Sequence, residues 1–265
     1  MKRAHFFALG SLAAVALAAG ACHPDQPTTS PPASPLATTK AAVARPPASP
    51  ADTLHLPGGV VAQLRPSTAA LFNRLPTSTL PNLPNDPAAE PLAAVQGQVR
   101  RQGRNLWLKP AQGGEVRFSS TPEAQFTLQN TECVHYMYWG SLPAAHQWAV
   151  RAWAWEASGT VLVDQRTGHR LEELPGDPVA APGGRLVLLV SPGLGGGDQP
   201  NALSLVQIEP TGARLLWQLE PTTWEPAEVR WAAPNRVVLQ RRHARPDGSL
   251  PDDARVTYDE LTLSR

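Results

Sequence analysis

Three groups of side chains have types and spacings that bear on chemistry. The first is aromatic and cationic: Tyr136-Met137-Tyr138-Trp139, followed by Trp148-Ala149-Val150-Arg151-Ala152-Trp153-Ala154-Trp155-Glu156. On a strand Arg151, Trp153 and Trp155 share one face, while Trp148 and Val150 take the other. Exposed, an Arg–Trp–Trp row suits stacking on sugar rings or on a partner's apolar surface. Turned inward, the same row is sheet core. The second group is acidic: Asp198 with Asn201 on one loop, and Asp247, Asp252 and Asp253 on another. These are oxygen ligands of the kind Ca²⁺ takes, but their spacing is not D-x-D-x-D-G. The reading is a pair of solvated loops, with no metal and no cofactor expected. Arg151, Trp153, Trp155, Asp198, Asp247 and Asp252 are the candidate binding residues.

The third group is dispersed. Glu132, His135 and Asp164 are acid–base types that would act together only if folding made them converge. Glu132, His135 and His146 are likewise a nominal metal or acid–base set, although strand histidines with ordinary hydrogen bonds are far more common. The sequence has no G-x-S-x-G elbow, no H-E-x-x-H, no Walker loop and no C-x-x-C. Gly193 to Gly197 is glycine-rich, but no Lys-Ser/Thr follows it, so it reads as a flexible loop. Catalytic residues are therefore not assigned, and a non-enzymatic role is favoured.

The N-terminus carries a different message. Met1-Lys2-Arg3 is a positive start, and His5 to Ala19 hold an apolar middle of Phe6, Phe7, Leu9, Leu12, Val15 and Leu17. That run falls short of the roughly 20 apolar residues that span a bilayer. Its length and flank fit a cleavable secretory signal. Ala19-Gly20-Ala21 places small residues at −3 and −1 of a cut before Cys22, a site that also suits the ordinary signal peptidase. Small residues leading into a Cys resemble the lipobox of bacterial lipoproteins, although that family most often has Leu where Ala19 stands. The resemblance implies acylation of the Cys22 thiol, with anchoring in the bilayer through acyl chains. Three such chains exceed the two signals that stable anchoring needs. His23 follows in place of the Asp that the family links to inner-membrane retention. The resemblance thus implies the outer membrane, facing the periplasm or the cell surface.

With Cys22 acylated, Cys133 has no intrachain partner and reads as a buried, inert thiol. The chain has 23 basic and 22 acidic residues, a net charge of +1. That balance lacks the basic stripe of a nucleic-acid footprint.

Composition divides the chain into a signal peptide (1–21), an acylated Cys with a Pro-rich linker (22–57), a short Pro-rich segment with little regular structure (58–91) and a β-rich domain (92–265). The linker is mostly Pro, Ala, Ser and Thr, which cannot bury enough surface to offset chain entropy. Within 58–91, Val60 to Leu64 has the composition of a strand, and Thr68 to Arg74 that of one or two helical turns. From Leu92 onward, apolar β-branched runs alternate with Gly, Pro, Asn and Asp.

An internal repeat refines that reading. Val161–Leu174 (VLVDQRTGHRLEEL) matches Ser204–Leu219 (SLVQIEPTGARLLWQL), each a strand, a Thr-Gly turn and a second strand opened by Arg-Leu. Acidic-Pro pairs follow at Asp177-Pro178 and Glu225-Pro226, then Ala-Ala-Pro and another strand. Gly168 and Gly212 lie 44 residues apart, a propeller-type period. Asp164-Gln165-Arg166-Thr167-Gly168 resembles the D-x-x-T-G turn of propeller blades, and the second copy lacks the Asp. The expected fold is all-β: repeated antiparallel meanders forming a small or incomplete propeller-like body, with a two-layer sandwich as the alternative. Equivalent units would project the loops at 191–201 and 243–253 from one edge, where a rigid scaffold carries binding residues. The function expected is a membrane-tethered binding or scaffold module with an envelope protein or glycan partner. An envelope hydrolase is the alternative.

Overall fold

Strands form over apolar and β-branched runs, and Gly, Pro, Asn and Asp are frequent in the turns between them. A computed structural model describes residues 52–56, 61–78, 80–81, 90–95, 97–127, 130, 132–154, 157–196 and 198–264. Cys22, the signal peptide, most of the linker and Trp155 lie outside the described residues. The elements are β1 (Asp52–His55), β2 (Val61–Pro66), α1 (Ala69–Arg74), β3 (Val99–Gln102), β4 (Asn105–Leu108) and β5 (Val116–Ser119). They continue with β6 (His135–Leu142), β7 (Gln147–Trp153), β8 (Ser158–Asp164), β9 (Arg170–Pro175) and β10 (Asp177–Ala180). The last are β11 (Leu186–Ser191), β12 (Ala202–Glu209), β13 (Gly212–Leu219), β14 (Trp224–Ala233), β15 (Arg236–His243) and β16 (Val256–Ser264).

The fold is all-β and built from consecutive antiparallel meanders. β3-β4-β5, β6-β7-β8-β9 and β10-β11-β12-β13 form three sheets in chain order. The fourth has the order β1-β2-β16-β15-β14, so its N-terminal strands pair with the C-terminal one. Leu261 lies opposite Leu64, and Leu263 opposite Ala62. The β body therefore starts earlier than Leu92. The strand expected at Val60 to Leu64 is β2 at 61–66, and it is paired into the last sheet because the alternation through Ala62 and Leu64 gives it an apolar face for that sheet's core.

Three apolar clusters join neighbouring sheets in turn. Leu106, Leu108 and Phe118 of the first sheet meet Tyr138, Trp148 and Val150 of the second. Leu162 and Ala149 then meet Leu189 and Val206. Leu188, Leu205 and Trp217 meet Val229, Val237 and Leu261. Each fully buried Leu or Val contributes roughly 1.5–3 kcal/mol, so these interfaces dominate the stability. The repeat seen in the sequence does not coincide with a sheet. Its first copy runs through β8–β9 of one sheet and β10–β11 of the next, and its second through β12–β13 and β14–β15.

From α1 to Glu90 the described residues act as a strap. Phe72 is buried beneath the Arg230 guanidinium (4.3 Å) and beside Tyr258 (5.3 Å). Arg230 Nη1 donates to the carbonyls of Phe72 and Leu75. Further on, Trp139 Nε1 donates to the Pro81 carbonyl at 2.8 Å. Buried Glu90 accepts from the Arg101 guanidinium and from the Tyr138 N–H at 2.6 Å. The described parts of this proline-rich stretch thus bond to β14, β6 and β3 in succession.

Candidate binding cavity

β6, β10 and β14 each open a meander or close a sheet edge, and their side chains meet around a cavity of about 420 Å³. Its walls include Trp139 from β6, Arg151 from β7, Asp177 and Val179 from β10, and Glu228 from β14. Leu80 and Pro81 of the strap form a further side. Arg151 is the central polar group. Its side chain is only 10% exposed, and it stacks 4.1 Å above the Trp139 ring. Nη2 pairs with Asp177 Oδ1 at 2.5 Å, and Nη1 donates to Ser158 Oγ at 3.3 Å. Nε has no hydrogen-bond partner among the described residues. That atom is itself fully occluded, and a guanidinium N–H left unpaired inside costs of the order of 1–3 kcal/mol.

The 191–201 loop starts beside the cavity, at Pro192. Gln199 accepts from the Ser158 N–H at 2.8 Å and donates to Ser191 Oγ at 2.7 Å. Asn201 Nδ2 donates to the carbonyls of Pro221 and Trp224. Glu225 accepts from Arg242 Nη1 at 2.8 Å and from the Leu194 N–H at 3.2 Å, which joins one long loop to the strand leading into the other. The 191–201 loop is therefore stitched to its surroundings at several points, and its glycines do not make it a free hairpin. The repeated acidic-Pro pairs act alike, since Asp177 holds Arg151 and Glu225 holds Arg242.

The residues singled out from the sequence scatter. Arg151 is the one that reaches the cavity wall, buried and covered by Trp139, so it is not part of an exposed row. Trp153 is half-buried at the end of β7, opposite His135 and Ser158. Asp198, Asp247 and Asp252 are exposed on the loops. Asp247 bonds to Ser249 of its own turn at 2.9 and 2.7 Å, which holds its carboxyl below the usual range. Asp253 pairs loosely with Arg245 at 3.5 Å. No group of three His, Cys, Asp or Glu side chains is placed to hold a metal among the described residues.

The dispersed acid–base set does not assemble. His135 lies opposite Trp153 at one end of β7, and Asp164 lies opposite Gln147 at the other. Six residues of strand separate those ends by about 20 Å. His146 sits at the Asp164 end, in the β6–β7 turn. Burial pushes the His135 pKa down, as does the nearby Arg101, against the opposing pull of Glu90 and Glu123. Asp164 is wholly buried and works as a turn lock. It accepts from the N–H groups of Arg166 and Thr167 and from the Arg166 guanidinium at 2.6 Å. Burial alone would raise its pKa, but the Arg166 side chain, those two N–H groups and the Arg166 charge outweigh burial and lower it from 3.8 to about 2. Cys133 is buried, with Sγ donating to the Gln125 carbonyl.

The sequence reading missed Trp139 as a wall residue, together with Asp177, Glu228 and the strap. Asp177 carried a signal, since its acidic-Pro pair recurs in the repeat. Compared with protein families, curated proteins and solved structures, the chain matches none.

Proposed function

We propose that this chain is an exported envelope module, tethered by an acylated Cys22, that binds a ligand or partner in the cavity between β6, β10 and β14. The observation that carries the binding reading is the 420 Å³ cavity itself, with the Arg151 guanidinium stacked on Trp139 at its wall. The residues that carry the export reading are Met1 to Cys22, followed by a Pro-rich linker that serves as a spacer only when one end is held. The hydrolase reading has less support. Asp177 and Glu228 are each held by an arginine, and Glu132, His135 and Asp164 do not converge.

Two measurements test the parts separately. Metabolic palmitate labelling should be lost in Cys22→Ser, and label that survives the substitution removes the thiol as anchor. For the cavity, the full chain is melted with envelope glycan fragments, peptides and small organic acids. A ligand at about 100 times its Kd adds about 2.7 kcal/mol to stability, roughly 5–10 °C for a domain of this size. Ala227→Phe, which fills the cavity from β14, should abolish that shift. If no class of compound moves the wild-type melting temperature, the binding reading fails.

A further inference from the structure

The near-neutral charge of the whole chain hides an uneven distribution. Residues 98–120, which hold β3, β4 and β5, carry five basic side chains and one acidic one, Glu115. The inner face of this sheet packs on its neighbour through Leu106, Leu108 and Phe118. Arg101 is tied to buried Glu90. The other four cations, Arg100, Arg104, Lys109 and Arg117, are all exposed.

Two of them are held in a fixed arrangement. Arg100 lies opposite Trp107, and Trp107 opposite Arg117, so one row crosses the three strands on the outer face. The two guanidinium carbons stand 4.9 and 5.3 Å from the centre of the indole. Asn105 Oδ1 accepts from Arg117 Nε at 3.1 Å and from Nη2 at 2.9 Å. Glu115 accepts from Arg100 Nη2 at 2.9 Å, while Arg104, Lys109 and Arg117 form no ion pair among the described residues. Four exposed cations thus face a single carboxylate.

Their spread decides what can meet them together. Arg100 and Arg117 stand two strands apart, about 10 Å, and Arg104 and Lys109 bracket β4 at about 17 Å. A small anion would reach one such group and leave the rest in water. An extended surface of negative charge reaches all four, and the open face of a sheet lets it approach. Headgroup phosphates are oxyanions, which guanidinium forks fit. A body on a linker whose other end is held in a bilayer also meets that bilayer at high effective concentration.

We infer that the outer face of the β3–β4–β5 sheet docks on an anionic bilayer, with Arg100, Arg104, Lys109 and Arg117 against headgroup phosphates. The choice of a bilayer rests on the export reading above.

The test sediments the full chain with vesicles of phosphatidylcholine alone and with vesicles of equal parts phosphatidylcholine and phosphatidylglycerol. Binding should be tighter to the anionic vesicles, and added salt should weaken that preference. Each cation near such a surface strengthens binding about fivefold. Arg104→Gln with Lys109→Gln should therefore weaken binding to anionic vesicles about twenty- to thirtyfold and leave neutral ones unaffected. Arg100→Gln with Arg117→Gln should weaken it at least as much, since Glu115 then loses its partner. The first pair touches neither Trp107 nor Asn105, so a folding defect in the second would not shield the inference. Arg65→Gln with Arg214→Gln, exposed on other sheets, should change the preference little. An equal loss from that pair overturns the inference, as does equal binding of the wild type to both vesicles. If soluble polyphosphate binds through the same four cations while anionic vesicles do not, the face meets anions but no bilayer, and the inference falls. Palmitate label that survives Cys22→Ser removes the anchor and leaves a preference abolished by the Gln pairs standing. Label lost with Cys22→Ser, but no preference between vesicles, removes the docking alone.

Discussion

The two Thr-Gly turns reach the same bend by different means. In the first, between β8 and β9, a buried carboxylate organises the turn: Asp164 gathers two backbone N–H groups, the Arg166 guanidinium and Gln147 Nε2. In the second, between β12 and β13, no such carboxylate exists. Glu209 pairs directly with Gly212 across the ladder, and its side chain meets Arg214 at 3.2 Å in solvent. The turns also touch. Arg166 Nη2 donates to the Glu209 carbonyl at 3.1 Å, and the His169 ring packs against Gly212. A polar network replaces a tight ladder where the turn must also hold its neighbour: Gln165 and Arg166 carbonyls accept from Ala111 and Gln112 of the β4–β5 loop. The first copy is therefore a junction among three sheets, and the second is a simple hairpin end.

The largest effect should come from removing the junction's carboxylate. Asp164→Ala leaves Arg166 and two N–H groups without their acceptor, and urea unfolding at pH 7 should show a loss of about 3–5 kcal/mol. The acid limb of the wild type tests the same group. Its pKa is lower in the folded chain, so its contribution is whole above the ordinary value and fades as pH falls from about 4 to about 2. The shift corresponds to roughly 2.5 kcal/mol. Asp164→Ala should flatten the stability profile across that window, and an unchanged slope there would deny the lock.

A middle effect is expected where the copies meet. Gly212 has φ of 143°, and a Cβ there would lie 2.4 Å from the His169 ring. Gly212→Ala should cost about 1–3 kcal/mol in thermal unfolding, and His169→Ala in the same chain should recover part of it. At Gly168 the φ is 75° and the obstructing atoms are Val116 and Pro110 of another sheet. Recovery of the Gly212 variant without His169→Ala would show that the turns do not press on one another. The smallest effect belongs to Glu209→Ala. Its pair with Arg214 is exposed, so calorimetric stability should change by less than about 0.5 kcal/mol. A loss as large as that of Asp164→Ala would erase the distinction between the copies.

Much of this body is legible in the residues. Apolar, β-branched runs mark β8, β11, β12 and β15, and the Thr-Gly and Ala-Ala-Pro punctuation places the hairpins, because turn chemistry is local. The fate of Arg151 is not legible in the same way. Period-two alternation tells which residues share a face and leaves open what covers it, so an exposed row and a buried one look identical in sequence. Within residues 58–91 the strand and the helical turns were legible in composition, but the pairing of β2 with β16, some 200 residues away, was not.

The residue order by itself determined a chain of strands with local turns and a separate N-terminal segment, because propensity, pattern and punctuation act over a few neighbours. Only the tertiary structure decided the cavity. Trp139, Arg151, Asp177 and Glu228 come from different strands of three sheets, and the strap that lies against them comes from yet another part of the chain. No local pattern encodes that meeting. It arises because each sheet must bury an apolar face against the next, and the stacking carries their inner edges to one place.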